Sequence, residues 1–213
     1  MTHSATLIRL AGLAYLVIIL CGVWAEGVVR GSLVIPGDAS ATADAIRAAL
    51  GLFRASLLAD ATMALADITL AVLFFTLLRH IQPVLALLAM VLRLVQAGLI
   101  GASLIALAAV PGLVTSGDDS LALTFIGLHA TGYDIGLIFF AVNCGLMAVL
   151  LSRSGGVPRV IVYGIAAAGA VYLTGSILRL LAPELAAGFA PAYLIPLVAE
   201  SALCLWLLIR ARI

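Results

Sequence analysis

The chain has 213 residues, of which 65% are hydrophobic and only 10% are charged, and its mean hydropathy is +1.28. A water-soluble domain of this length cannot bury so much apolar surface, so the composition excludes an ordinary soluble protein and indicates an integral membrane protein. The formal net charge is +1 and the basic residues form no cluster, which excludes nucleic acid as a partner. The lipid bilayer is the first partner that the sequence predicts.

Six stretches are long and apolar enough to cross a bilayer, which takes roughly 20 residues of α-helix. We expect them to cover residues 7–29, 55–78, 84–110, 121–151, 157–181 and 192–209. The first is too long for a cleavable secretory signal, so we interpret it as a retained helix. Turn or breaker residues, such as Pro111-Gly112, separate the stretches, and most connections are short enough to make consecutive helices antiparallel neighbours. The predicted fold is an all-α polytopic helix bundle, a single transmembrane domain over residues 1–213.

The first outer connection is long and is predicted to contain a short amphipathic helix. Pro36-Gly37-Asp38 is typical of a turn, and Ser40 or Thr42 is placed to cap the helix that follows. The helix is either an interfacial connector or a lid over the mouth of the bundle. Its apolar residues share one face, namely Ile46, Ala49, Leu50 and Phe53.

Small residues and cysteines inside the spans are interpreted as packing features. Two Gly-x-x-x-Gly patterns predict close helix contacts, Gly27 with Gly31 and Gly132 with Gly136. The spacing of the three cysteines fits neither a metal motif nor a disulfide framework, so we expect them to be core residues. They are Cys21, Cys144 and Cys204.

The arginines indicate the orientation of the bundle, because cytoplasmic loops of membrane proteins carry an excess of basic residues. With the N-terminus in the cytoplasm, the inner side holds Arg9, Arg79, Arg153, Arg159, Arg210 and Arg212. The outer side then holds Arg30, Arg47, Arg54 and Arg179. The distribution therefore predicts that both termini are cytoplasmic.

Ionisable residues inside the spans are the candidate functional residues, because a charge at the bilayer centre costs roughly 2.5–3.5 kcal/mol. Helical spacing places Asp60 and Asp67 on one face of the second span, and Arg93 and Gln96 on one face of the third. Most of these residues fall in the outer half of the bundle, which indicates a pocket that opens outward. The candidate pocket residues are Glu26, Arg30, Asp60, Asp67, Arg93, Gln96, His129, Tyr133, Asp134, Arg179 and Glu200.

Some of these charges can form ion pairs that only fix helix register, such as Glu26 with Arg30 and Asp67 with Arg93. Such pairs do not account for every acid near the midplane, where three carboxylates accompany one arginine and one histidine. An unpaired buried carboxylate takes up a proton or holds a cation, and either property is functional. The three carboxylates are Asp67, Asp134 and Glu200.

Metal binding and nucleophilic catalysis have weaker support in the sequence. His129 is the one histidine inside a predicted span, so a metal site would have to use it, but the paired histidines or cysteines of a zinc site are missing. No cofactor follows from the sequence. Hydroxyl groups are available as nucleophiles, although none lies in a recognisable catalytic motif. They belong to Ser56, Ser103, Thr131 and Ser176.

The fourth span and the loop after it resemble a known family. They carry Leu128-His129-x-x-Gly132-Tyr133-x-x-Gly136, followed by Ser154-Gly155-x-x-Pro158-Arg159. With Glu26-x-x-x-Arg30, Arg93-x-x-Gln96 and Glu200, these motifs resemble the bacterial membrane family called domain of unknown function 4386. The resemblance covers nearly the whole chain and implies a multi-pass protein of the bacterial cytoplasmic membrane. It implies no activity, and Asp134 stands where the family leads us to expect an apolar or aromatic residue.

Three functions are open at this point. The first is binding or transport of a small ligand, a cation or protons through the outward-facing pocket. The second is an intramembrane hydrolase for a lipid-like substrate, with His129 as base or metal ligand. The third is a structural or accessory subunit, whose charges serve only helix register. The unpaired acids favour the first function, and no protein partner follows from the sequence.

Overall fold

The computed structural model describes residues 2–213, with side chains from residue 5 onward. Six helices in this part of the chain are long and apolar enough to cross a membrane, and it contains no strand. The helices cover Ala5–Leu33, Leu50–Leu78, Pro83–Ser116, Asp119–Ser154, Arg159–Leu181 and Pro183–Arg210. The prediction of an all-α polytopic helix bundle is confirmed, and we refer to these helices as the first to sixth spans.

The first and sixth spans are broken into segments, whereas the other four are continuous. The first consists of α1 (Thr2–Gly22), a π-helical segment (Val23–Arg30) and α2 (Gly31–Leu33). The sixth consists of α8 (Pro183–Phe189), a 3-10 turn (Ala190–Tyr193) and α9 (Leu194–Arg210). Between them lie α3 (Ala39–Ala48), α4 (Leu50–Leu78), α5 (Pro83–Ser116), α6 (Asp119–Ser154) and α7 (Arg159–Leu181).

The six spans form a ring in which each span packs against its neighbours in the chain. The order around the ring is α1, α4, α5, α6, α7 and α9, and the ring closes where α9 packs against α1. At this closure Cys204 Sγ lies 3.4 Å from the carbonyl oxygen of Gly12. A side chain at Gly12 would come within 2.8 Å of Leu208 Cγ, so glycine is what allows the two helices to meet.

Antiparallel neighbours place both termini at one end of the ring, which we call the terminal end, and α3 at the other, which we call the α3 end. The terminal end is filled by apolar side chains from all six spans, including Leu70, Leu151 and Leu207. Trp206 Nε1 donates to the carbonyl oxygen of Gly156 at 3.1 Å and so ties α9 to the loop between α6 and α7. The ring is therefore closed by packing at the terminal end.

The helix predicted in the first outer connection is α3, and it packs against the ends of α5, α6 and α4. Ile46 on α3 and Phe53 on α4 are fully buried in an apolar cluster with Leu107 and Val110 of α5. No residue of α3 lines the cavity that lies inside the ring. The helix therefore connects the spans and covers the α5–α6 edge, which argues against the alternative of a lid.

The predicted N-cap of α3 is wrong. Asp38 caps the helix, and its Oδ1 accepts a hydrogen bond from the backbone N–H of Ala41 at 2.9 Å. The left-handed backbone of Gly37, with φ of 78°, turns the chain just before Asp38 and brings its carboxylate over the helix end. Thr42 instead donates to the carbonyl oxygen of Ile35 at 3.1 Å.

The predicted break at Pro111-Gly112 is also wrong, because α5 continues through Pro111 to Ser116. Proline leaves the carbonyl of the residue four positions earlier without its helical partner, but packing outweighs that loss here. Val110 and Val114 are buried against α3, and Arg47 Nε donates to the carbonyl oxygen of Val114 at 2.6 Å. The contact with α3 therefore holds the last turn of α5 in place.

One of the two glycine patterns makes the predicted close contact. A side-chain carbon at Gly132 would lie 2.7 Å from Ser103 Cβ, and one at Gly136 would lie 3.2 Å from Ile100 Cγ1, so both glycines let α6 approach α5. At Gly27 an added carbon would meet nothing within 4 Å, so the predicted packing contact there is wrong. Gly27 belongs to the π-helical segment and lines the cavity inside the ring.

Candidate functional site

A cavity of about 470 Å³ lies inside the ring, on the α3 side of the apolar packing. Pockets for small molecules have volumes of about 300–1,000 Å³, so the cavity is large enough for a small organic ligand. All six spans contribute side chains to its wall. The structure places nine of the candidate residues in the wall, namely Glu26, Asp67, Arg93, Gln96, His129, Tyr133, Asp134, Arg179 and Glu200.

The other two candidates, Arg30 and Asp60, form an ion pair behind the wall. Arg30 Nη1 lies 2.6 Å from Asp60 Oδ2, and Nη2 lies 3.1 Å from Oδ1. Arg30 Nε also donates to Glu26 Oε2 at 2.7 Å, so the predicted pair of Glu26 and Arg30 is confirmed. The Glu26 side chain is 57% exposed, whereas those of Arg30 and Asp60 are buried. The buried pair thus holds Glu26 at the edge of the cavity.

Asp67 and Arg93 form the predicted ion pair on the α4 and α5 side of the wall. Arg93 Nε donates to Asp67 Oδ1 at 2.9 Å, and Nη2 approaches the same oxygen at 2.6 Å without an N–H directed at it. Gln96 Nε2 donates to Asp67 Oδ2 at 3.3 Å. The Arg93 guanidinium also lies 5.0 Å from the ring centre of Phe140 and 5.5 Å from that of Tyr15, within cation–π range.

Asp134 is paired with Arg179, so our interpretation of Asp134 as an unbalanced midplane acid is wrong. Arg179 Nε lies 2.7 Å and 2.8 Å from the two carboxylate oxygens. The spans differ in length: α6 begins fifteen residues before Asp134, about 22 Å of helix, whereas α7 ends two residues after Arg179. Arg179, two residues before the end of α7, therefore meets a residue well inside α6.

Glu200 differs from the other carboxylates of the wall, because no arginine or histidine nitrogen in the described part of the chain lies within 4 Å of it. It is only 6% exposed. Tyr172 donates a hydrogen bond to Glu200 Oε1 at 2.5 Å, and Tyr15 donates to Oε2 at 3.1 Å. The carboxylate is thus held by two neutral hydroxyl groups and faces the cavity.

Tyr15, Tyr172 and Tyr193 are site residues that the candidate pocket residues from the sequence do not include. Tyr172 and Tyr193 line the cavity with their rings 6.0 Å apart, and Tyr15 lies behind Glu200. A tyrosine in an apolar span needs a hydrogen-bond partner for its hydroxyl group, so its presence in the sequence could have indicated a polar site nearby. The sequence did not show that Tyr15 and Tyr172 share one carboxylate, because the three residues lie on three different spans.

His129, a residue of the cavity wall, has one buried ring nitrogen without a partner among the described residues. Its Nδ1 lies 2.9 Å from Ser103 Oγ, and that hydroxyl group donates its single hydrogen to the carbonyl oxygen of Ile100 at 2.7 Å. Nδ1 must therefore carry the hydrogen that joins the two side chains, an assignment that follows from the hydrogen-bond network. Nε2 is then an acceptor, and it has no protein partner among the described residues.

The Ser103–His129 contact does not have the arrangement of a nucleophile and its base. A base must accept the hydroxyl hydrogen, whereas here the hydroxyl of Ser103 donates to the backbone and accepts from His129. Ser103 also lies outside the cavity wall, against Gly132. No group of three or more His, Cys, Asp or Glu side chains within the described residues is arranged to hold a metal ion.

The wall carries more negative than positive groups. Four carboxylates line it, whereas the arginines in the wall are Arg93 and Arg179, and the Arg30–Asp60 pair behind it is balanced. Wall residues also hold buried polar atoms without a protein partner among the described residues, namely the acceptors Gln96 Oε1 and His129 Nε2, the donor Arg93 Nη2 and the Tyr193 hydroxyl group. The excess of carboxylates favours a ligand that brings positive charge. The four carboxylates are Glu26, Asp67, Asp134 and Glu200.

Comparison with known proteins agrees with the resemblance found in the fourth span. The family described as domain of unknown function (DUF4386) matches residues 10–211, which include nearly all of the six spans. No curated protein and no solved structure gives a significant match to the chain. The chain therefore belongs to the DUF4386 family, whose description assigns no activity.

Proposed function

We propose that the protein binds a small positively charged ligand in the cavity, as a membrane-embedded binding or transport protein. Glu200 is the observation that carries this proposal. A buried carboxylate at membrane depth needs a partner for its charge, and the described side chains give Glu200 two hydroxyl groups, with no arginine or histidine nitrogen within 4 Å. A ligand with an ammonium group would supply the missing charge.

The aromatic residues of the wall support the same ligand class. Phe140 and Tyr172 lie with ring centres 5.3 Å apart beside Glu200, and Tyr172 is 6.0 Å from Tyr193. Aromatic faces attract organic cations, and the attraction is stronger where water is excluded. The carboxylate would bind the charge, while the rings would contact the methyl or methylene groups next to it.

We place the protein in a bacterial cytoplasmic membrane, with both termini in the cytoplasm and the cavity towards the outer side. The distribution of arginines supports this orientation, because the terminal end carries six. At the α3 end, by contrast, Arg30, Arg47 and Arg179 are each paired with an acidic side chain. The apolar packing at the terminal end would keep the ligand from the cytoplasm until the ring rearranges.

Two other functions have less support from the geometry. A hydrolase would need an activated nucleophile at the cavity, and Ser103 is outside the wall. A purely structural role would account for the Arg30–Asp60, Arg93–Asp67 and Arg179–Asp134 pairs, but it does not explain why Glu200 lines an open cavity with no described arginine or histidine nitrogen within 4 Å.

Thermal unfolding in mild detergent tests the proposal. Ethylammonium and tetramethylammonium chloride should raise the Tm of the wild-type protein at constant ionic strength, since a ligand that binds only the folded state stabilises it by mass action. Sodium ethanesulfonate is the anionic counterpart and should have no such effect. The Glu200→Gln variant should lose the rise, because the amide keeps the size of the side chain but removes its charge.

The matched control is Glu184→Gln, since Glu184 is an exposed carboxylate of α8 that does not line the cavity. This variant should respond to the ammonium ions as the wild type does. The proposal is wrong if neither ammonium ion raises the Tm, or if ethanesulfonate raises it by the same amount. An equal response of the wild type and Glu200→Gln would also contradict it.

A further inference from the structure

The cavity has an opening in the side of the ring, between the first and sixth spans. Towards the terminal end these spans are in contact, where Tyr15 reaches Glu200 and Cys204 reaches Gly12. Beyond this level, the π-helical segment packs against α1, α2 and α4 and, within the described residues, makes no comparable contact with α6, α7, α8 or α9. No residue of α8 is buried. The two spans therefore separate towards the α3 end.

Residues at the edges of this gap line the cavity and are also exposed. Val23 on the first span is 48% exposed, and Leu197 on the sixth is 42% exposed, although both belong to the cavity wall. Gly27 lines the wall one turn beyond Val23, is exposed, and has free space where a side chain would project. We call the gap bounded by Val23, Gly27 and Leu197 the side opening.

The side opening lies at the depth of the lipid chains. Val23 is fourteen residues from Arg9, and Leu197 is thirteen residues from Arg210, which corresponds to about 20 Å of helix from the charged terminal end. The hydrocarbon core of a bilayer is about 30 Å thick, so both edges fall inside it. The outer surface beside the opening is apolar and exposed, as lipid contact requires, at Leu20, Val28, Leu194 and Val198.

The inside of the cavity also has two kinds of surface. Charged and polar side chains such as Glu200, Asp67 and His129 supply part of its wall, whereas the edges of the side opening and most of the accessible area of the wall are apolar. A small hydrophilic cation would fill the polar part and leave the apolar part without a partner. A molecule with a charged group and a hydrocarbon chain would match both. The apolar wall residues include Ile18, Ile19, Met63, Leu137 and Leu197.

We infer that the ligand is a cationic amphiphile that enters from the lipid phase through the side opening, with its ammonium group at Glu200 and its chain extending out between the first and sixth spans. This inference rests on the proposed function and names its ligand class. The polar groups that converge on the cavity select the head group, and the side opening accommodates the chain. The bilayer both holds such a ligand and delivers it to the opening.

A series of alkylammonium ions tests the inference with the protein in lipid nanodiscs. Dissociation constants for ethyl-, butyl-, hexyl- and octylammonium are measured by calorimetry and corrected for partition into empty nanodiscs. Each buried methylene contributes about 0.8 kcal/mol, so the affinity should rise about fourfold per methylene while the chain fills the apolar wall. Octanesulfonate should bind at least tenfold more weakly than octylammonium.

Gly27→Leu should narrow the side opening, and its Cβ has free space, since an added carbon there meets nothing within 4 Å. It should weaken octylammonium binding at least tenfold, and it should weaken ethylammonium binding much less, because the short chain does not reach the side opening. Gly98→Leu is the matched control, because Gly98 is exposed, also has free space around it, and lies outside the cavity. This variant should bind each alkylammonium ion of the series with the same affinity as the wild type.

The results separate the inference from the proposed function. Binding of ethylammonium with no gain from a longer chain would overturn the inference and leave the proposed function in place. If Gly27→Leu and Gly98→Leu change the affinity for octylammonium equally, the ligand does not enter through the side opening. The proposed function would again stay in place. If no ammonium ion of any length binds, both the inference and the proposed function are wrong.

Discussion

Arg30 donates hydrogen bonds to Asp60 on α4 and to Glu26 in its own span. Removal of this side chain would leave a buried carboxylate without its cation, and breaking a buried pair in this way costs about 3–5 kcal/mol. Arg30→Leu should therefore lower the stability of the protein by about that amount, measured by unfolding in mild detergent.

Arg54→Leu serves as the control for Arg30→Leu. Arg54 is an exposed residue of α4, six positions before Asp60, and it takes no part in the ion pairs of the cavity. Its replacement should change stability by less than about 1 kcal/mol. Comparable losses in the two variants would show that the Arg30 network is not what stabilises this part of the bundle.

The hydroxyl group of Tyr172 is also predicted to stabilise the folded protein, because it donates a hydrogen bond to a buried carboxylate. Tyr172→Phe removes the 2.5 Å hydrogen bond to Glu200 and leaves that buried carboxylate with Tyr15 as its donor. The expected cost is about 1–3 kcal/mol of unfolding free energy. Tyr163→Phe, at an exposed tyrosine of the same helix, should change little, and equal effects of the two substitutions would show that the hydrogen bond from Tyr172 to Glu200 does not stabilise the protein.

The sequence predicted ion pairs correctly where the two residues are close in the chain or lie at matching depths in the bundle. The Glu26–Arg30 pair follows from one helical turn, and the Asp67–Arg93 pair from the short connection between α4 and α5. The Asp134–Arg179 pair did not follow, since it depends on how far α6 extends beyond the end of α7. Depth estimates from hydropathy assume spans of similar length.

Among the helices, the contact of α5 with α6 gives the sharpest prediction. An added side chain at Gly132 would lie 2.7 Å from Ser103 Cβ, so Gly132→Val should force the helices apart and cost about 1–3 kcal/mol. Gly127→Val on the same helix is the control, because nothing lies within 4 Å of an added carbon there. Thermal unfolding should show a clearly lower Tm for Gly132→Val alone, and a matching drop in both variants would refute the close contact.

Hydropathy located all six spans but missed irregularities that tertiary contacts produce. The helix α5 passes through Pro111 because α3 packs on its last turn, and a breaker signal in the sequence cannot show that contact. The π-helical segment and the 3-10 turn have no strong local signal either. Both segments flank the cavity, so the parts of the fold that shape the candidate site were the ones that sequence reasoning could not supply.

On the scale of the whole molecule, the proposed orientation can be tested by cysteine labelling in intact cells. With the native cysteines replaced by alanine, Ser120→Cys marks the α3 end and Ser152→Cys marks the terminal end, at exposed positions of α6. A membrane-impermeant maleimide should label Ser120→Cys from outside and Ser152→Cys only after permeabilisation. The opposite pattern would mean that the cavity faces the cytoplasm.

The side opening is a property of the assembled ring, and no pattern in the sequence predicted it. The polar residues indicated a pocket, because charged groups in a membrane must meet protein or water, and their depths predicted an opening towards the outer side but none through the side of the ring. Access depends on the separation of the first and sixth spans, which are the two most distant in the chain.

Photolabelling in lipid bilayers tests the central claim most directly, namely that the cavity binds an ammonium amphiphile at Glu200. The probe is octylammonium with a diazirine in its chain, and the labelled residues are mapped by mass spectrometry. The account predicts labels on cavity residues such as Phe140 and Leu197, which excess octylammonium and the Glu200→Gln substitution both suppress. Labels confined to lipid-facing residues such as Leu58 and Val160, at equal levels in the wild type and the variant, would contradict it.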